Sequence, residues 1–158
     1  VSPDDAALAA RGRRMMRVRL EASTKSAARV AEWLADQPQV AEVLCPLLPD
    51  DPGHALYARD FAGGCGLFSF VLASADMKAS GRVVDALRLF GIGYSWGGYE
   101  SLALPIAPHA YRTVMASPTR PHGDGGEDRP AIRLSIGLED SEDLIDDLTQ
   151  ALARMEGS

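Results

Sequence analysis

The sequence predicts a two-layer α/β (α+β) domain, a small four-stranded sheet with helices on one face, and three observations predict it. Apolar residues recur at spacings of three and four near both termini, short runs between them alternate with period two, and the two kinds of segment mostly take turns along the chain. A chain of 158 residues with 46% hydrophobic content also holds enough apolar material for one compact domain over residues 1–158.

Ser2-Pro3-Asp4-Asp5 is a helix start: a capping serine, proline at the first helical position and acids in the first turn. The helix it opens runs over 3–36, with Met16, Leu20, Ser23, Ala27, Val30 and Leu34 as the stripe to be buried. Arg11, Arg13, Arg14, Arg17 and Arg19 lie mostly off that stripe, and Gly12 allows a kink. Gln37-Pro38 ends the helix, and Val40–Leu44 reads as a strand. Asp50 to Gly53 is a turn, His54–Asp60 a short helix, Phe61 to Gly64 a loop, and Gly66–Ala73 a strand. Gly63, Gly64 and Gly66 do not make a phosphate cradle, because such a loop opens a helix and this one opens a strand. Ala75–Leu89 reads as an amphipathic helix leading to the alternation of Phe90, Ile92 and Tyr94, with Leu102–Leu104 a second short apolar run. Pro108–Met115 is a further short helix, and Ser117–Pro130, rich in proline, glycine and charge, a mobile surface loop. Ala131–Ile136 is the last strand. Gly137 then turns the chain into a helix whose first-turn acids suit its N-terminus, with Leu144, Ile145, Leu148, Leu152 and Met155 inward and Asp146 and Asp147 in water.

The chemistry concentrates in Phe90 to Pro105, where Trp96, Tyr99, paired glycines and an acid lie between apolar runs. On local pattern alone, Gly97-Gly98 beside Trp96 reads as a hairpin packed by an aromatic; the sharper reading is a binding loop, since paired glycines let backbone approach a ligand. Gly93, Tyr94, Ser95, Trp96 and Gly97 also spell G-x-S-x-G, but the hydrolase turn leads into a helix, and here a strand-like run follows. Arg133 is the odd residue in its strand. It shares a face with Ser135 opposite Ile132, Leu134 and Ile136, either as an exposed strand arginine or as a planar fork for a carboxylate.

The net charge of -6 argues against a nucleic-acid partner. Residues 1–30 hold seven Arg or Lys against three acids and residues 121–158 three arginines against ten acids, which reads as two solvated faces, with mutual or intersubunit pairing as the alternative. Cys45 and Cys65 form no C-x-x-C, and His54, His109 and His122 are separate loop histidines, so no metal site and no disulfide framework is expected, only reduced thiols in a cytoplasmic protein. No apolar run reaches the length of a membrane span. A start at Val1 without methionine is expected of a processed chain or a piece of a longer one.

Tyr94 to Leu102 together with Ile132 to Asp140 resemble the pyridoxal-phosphate enzymes of cysteine and methionine metabolism, and within them the bacterial cystathionine β-lyase branch. Arg11-Gly12, Val30 to Leu34, Pro38 to Ala41, Asp60-Phe61 and Gly66 to Phe70 add matches along nearly the whole chain. The resemblance implies a mostly antiparallel sheet, as in the C-terminal domain of fold-type I enzymes. It implies a parent that is a homo-oligomeric carbon-sulfur lyase, cleaving cystathionine by β-elimination to homocysteine, pyruvate and ammonia with pyridoxal phosphate as electron sink. Carried over by residue, it implies that Arg133 pairs with the substrate's α-carboxylate and that Ser95 and Trp96 add contacts to it. Relatives acting at the γ-carbon usually carry leucine where Trp96 stands, so Trp96 points to the β-lyase branch. The cofactor's lysine, phosphate loop and pyridine-nitrogen acid belong to the parent's N-terminal cofactor domain, the expected partner of this chain. Ser23-Thr24-Lys25 resembles the lysine motif only superficially, so no catalytic or cofactor-binding residue is expected here and the chain alone is expected to be inactive. A free-standing binding or regulatory module that kept the fold without the chemistry is the alternative.

Overall fold

The structure, a computed structural model, describes residues 1–107 and 129–156. The expected helix at Pro108–Met115, nearly all of the Ser117–Pro130 loop, and His109 and His122 lie outside the described residues.

Helix α1 (Pro3–Ala35) starts as its first residues dictate: extended Ser2 accepts the Asp5 N–H on its hydroxyl at 3.1 Å, and Pro3 occupies the first turn, where its missing N–H has no consequence. It runs through Gly12 without a break. The buried stripe is shorter than its periodicity implies, beginning at Ser23 and continuing through Ala27, Val30, Ala31 and Leu34, whereas Met16 and Leu20 are exposed. Length explains this. Thirty-three residues at 1.5 Å rise make a rod of about 50 Å, longer than strands of five or six residues can cover, so the first half projects past the sheet.

Strands β1 (Val40–Leu44), β2 (Leu67–Leu72), β3 (Gly91–Ile92), β4 (Leu102–Ile106) and β5 (Ala131–Ser135) form one sheet in the order β1-β2-β5-β4-β3. All neighbours pair antiparallel except β3 and β4. Among the described residues the sheet thus has five strands rather than four: Leu102–Leu104 grows into a full strand, and the Phe90–Tyr94 alternation contributes only an exposed two-residue edge. Helices α1, α3 (Ala79–Ala86) and α4 (Ser141–Leu152) cover one face, while α2 (His54–Asp60) has no buried residue and carries His54 on its first turn rather than on a loop. The core between the layers joins Phe68, Phe70 and Leu72 of β2 and Ile132 and Leu134 of β5 to Val30, Leu34, Val83, Leu144 and Leu148 of the helices. Each such side chain contributes roughly 1.5–3 kcal/mol by leaving water.

Two local features correct the expectations. Helix α3 stops at Ala86, short of Leu89, because Leu87 turns extended, and the N–H groups of Arg88 and Leu89 are left without helical acceptors. Asp147 supplies them: its carboxylate accepts from Arg88 at 3.0 Å and Leu89 at 2.8 Å, so this acid of α4 is 5% exposed instead of standing in water. Gly66 serves close backbone approach. A Cβ there would collide with the Ile136 carbonyl, while Ile136 N–H donates to Gly66 O at 2.8 Å. The oppositely charged terminal segments meet in one described ion pair, Arg29–Glu142 at 3.0 Å, with both side chains more than half exposed.

Candidate carboxylate-binding site

On the sheet face opposite the helices, β5 presents Arg133 between Ser69 of β2 and Leu104 of β4, and its period-two neighbours Ile132 and Leu134 enter the core. Residues 93–101 fold over this face. Because β3 runs parallel to β4, the connection must return from the end of one to the start of the other, and a tight hairpin cannot do that. The hairpin reading of Gly97-Gly98 is therefore wrong. Trp96 does not pack as a hairpin aromatic would; it stands 65% exposed, beside exposed Tyr94 and Tyr99. No helix follows Gly97, which removes the hydrolase reading as well.

Arg133 holds the near end of this loop. Its Nη2 donates to the carbonyls of Tyr94 at 2.9 Å and of Gly93 and Ser95 at 3.3 Å. Its Nε is buried and has no hydrogen-bond partner among the described residues, and no described carboxylate lies within ion-pair distance. One nitrogen thus fixes the plane of the guanidinium, and another donor stays without an acceptor, an arrangement that costs about 1–3 kcal/mol unless a ligand supplies one. Arg133 and Ser95 are brought together through the Ser95 carbonyl, and Trp96 follows on the same loop. The middle of the loop is held at Gly97, which sits at φ 75°, donates its N–H to Ser135 Oγ at 3.3 Å and accepts Arg19 Nη2 from α1 at 3.2 Å. Periodicity places Arg19 off the buried stripe, correctly for the core, and its side chain reaches the loop instead.

The far end is fastened by Ser101 and Glu139, neither of which the sequence singled out. Glu139 reads as one of several acids before the last helix; in the structure Asp140 caps α4, accepting Glu142 N–H at 2.8 Å, and Glu139 turns to Ser101. A groove of about 530 Å³ lies elsewhere, along β1 and the end of α1, and its Glu32, Asp36, Glu42 and Asp50 disfavour a carboxylate ligand. Burial pushes the Cys45 thiol up from its ordinary range, while Cys65 is exposed; both are free. Among the described residues no three His, Cys, Asp or Glu side chains are placed to hold a metal, and no helix is long and apolar enough to cross a membrane.

Residues 1–153 match the family described as Cys/Met metabolism PLP-dependent enzyme. The chain is similar to a putative cystathionine beta-lyase of Rhizobium johnstonii, at 49% identity over 96% of this chain and 37% of that protein. It is similar to cystathionine beta-lyase MetC of Escherichia coli, at 44% over 98% of this chain and 38% of that protein. It is also similar to cystathionine gamma-lyase of Mus musculus, at 40% over 96% of this chain and 37% of that protein. The chain therefore spans less than two fifths of the length of these relatives.

Proposed function

The chain belongs to the Cys/Met metabolism PLP-dependent enzyme family, and from that premise we propose that it is the substrate-carboxylate-binding C-terminal part of a cystathionine β-lyase-like enzyme. The observation that carries the reading is the guanidinium of Arg133, oriented by three loop carbonyls and left with a buried Nε that has no described acceptor. An amino acid's α-carboxylate is planar and bidentate, and it offers that donor its acceptor. The loop over Arg133 then brings the Ser95 hydroxyl and the Trp96 ring to the same ligand, fixing its orientation and walling off part of the space beside it. The relatives named as beta-lyases at 44–49% identity support β-elimination from cystathionine, giving homocysteine, pyruvate and ammonia, as the parent's reaction.

Neither lysine of this chain fits the role of holding pyridoxal phosphate. Lys25 and Lys78 are its two lysines; both side chains are exposed, one on α1 and one at the start of α3, whereas a lysine that holds the cofactor needs a closed pocket and a phosphate cradle. Cofactor and proton chemistry fall, in this reading, to a separate cofactor domain of the parent, and the present residues bind and orient. The test is to express the complete reading frame and follow pyruvate release from cystathionine, beside the isolated chain. The reading expects turnover from the complete protein and none from the chain; turnover by the chain alone, or a complete protein inert toward thioether amino acids, would contradict it.

A further inference from the structure

Residues 93–101 are fastened more firmly at their far end than an exposed connection requires. Glu139 accepts from Ser101 with both carboxylate oxygens, from the N–H at 2.8 Å and from the hydroxyl at 2.7 Å. Ser101 Oγ in turn accepts the Gly137 N–H at 2.9 Å, and Tyr99 O accepts the Leu138 N–H at 2.9 Å. Gly137 lies so close to the loop that an added Cβ would run into Tyr99 O, and Ser101 is fully buried. The edge on which the loop hangs is weak by comparison, since β3 pairs with β4 over two residues only.

We propose that Glu139 is a positioning residue for the loop that covers Arg133: through Ser101 it fixes where Gly93 to Gly97 lie over the guanidinium and how Trp96 stands. That the positioned loop serves carboxylate recognition rests on the function proposed above; the fastening itself does not. Residue chemistry explains why a glutamate is used. Ser101 offers two protons, one on nitrogen and one on oxygen, so its partner must accept at both atoms, as a carboxylate does and an amide does not. Glutamine would set its NH2 against the serine hydroxyl, leaving that proton without an acceptor. With the far end free, the loop keeps only the short β3 edge, the Arg133 hydrogen bonds to the Gly93, Tyr94 and Ser95 carbonyls and the single hydrogen bonds at Gly97 to oppose its sliding along β5.

Gly97 makes the idea testable, because it touches Ser135 and Arg19 but not Glu139. The experiment is amide hydrogen exchange by NMR on the full chain, with the rotational freedom of Trp96 read by fluorescence anisotropy in a Trp33→Phe background. Glu139→Gln and Ser101→Ala are each expected to speed exchange at Gly97 by about tenfold or more and to free Trp96, with far-UV signal retained. Glu139→Asp, which keeps two acceptors on a shorter arm, should fall between them and the parent. Faster exchange confined to Ser101 and Gly137, with Gly97 and Trp96 unchanged, would overturn the proposal. So would loss of the whole fold in both variants, which would make the cluster a support of the domain rather than of the loop. A failure of Arg133 to bind carboxylate would leave this result untouched, so the two readings fail separately.

Discussion

Replacing Asp147 with alanine strands the N–H groups of Arg88 and Leu89, which have left their own helix and have the Asp147 carboxylate as acceptor. Arg88 and Leu89 are exposed, so water takes over part of the acceptor role; at roughly 1.5–3 kcal/mol for hydrogen bonds to a charged acceptor, a loss of about 1.5–3 kcal/mol is expected in urea unfolding, whereas Asp146→Ala, on the exposed side of the same turn, should change little. Nothing local distinguishes these two acids in the sequence, because the partners of Asp147 come from 58 and 59 residues away. Arg133 is the opposite case: strand alternation places it off the core face unaided, and only its contacts with the loop, 38 to 40 residues away, are invisible to that alternation. Trp96 belongs to the same scale. Trp96→Leu in the complete enzyme should leave carboxylate binding largely intact and shift kcat/KM away from cystathionine toward γ-substituted amino acids, because it changes the shape of the pocket more than its charge. Unchanged relative rates on the two substrates would remove Trp96 from the specificity assignment.

Elements whose ends carry their own capping chemistry were legible. Ser2-Pro3 starts α1 where the residues say, the acids expected at the N-terminus of α4 lie there with Asp140 as the cap that the sequence left unnamed, and β1, β2 and β5 fall on the expected apolar alternations. What periodicity could not say is whether anything packs against a stripe, and so the Met16–Leu20 part of α1 reads as core while standing in solvent. Nor does a glycine pair reveal strand direction, which is a property of two segments and their register; the parallel β3–β4 pair was hidden for that reason. Cysteine reactivity follows from element position. Cys45 closes β1 inside the core, where burial disfavours the thiolate and raises its pKa. The sign is that of an acid kept protonated: this contribution to stability is complete below the ordinary thiol pKa and is lost as pH rises through the raised value. Near neutral pH, titration with a thiol-specific chromophoric disulfide should therefore modify Cys65 quickly and Cys45 only after unfolding. Rapid modification of both in the folded chain would contradict the burial of Cys45.

For the molecule as a whole, the projecting half of α1 leaves Leu8, Met15, Met16, Val18 and Leu20 exposed, more apolar surface on one element than an isolated domain usually shows. Self-association of the chain at high concentration is the expected consequence, and sedimentation velocity checks it; a strictly monomeric boundary would count against reading this chain as part of a larger assembly. The central claim is that Arg133 holds a substrate carboxylate, and kcat/KM on cystathionine for Arg133→Ala and Arg133→Lys in the complete enzyme tests it most directly. Removing one partner of a desolvated charge pair costs about 2–5 kcal/mol, so alanine should lower kcat/KM by roughly a hundredfold or more, and lysine, a point charge without the planar fork, should restore only part of it. An alanine variant within a few fold of the parent, or a lysine variant indistinguishable from it, would show Arg133 to be a structural strand arginine and the carboxylate site to lie elsewhere.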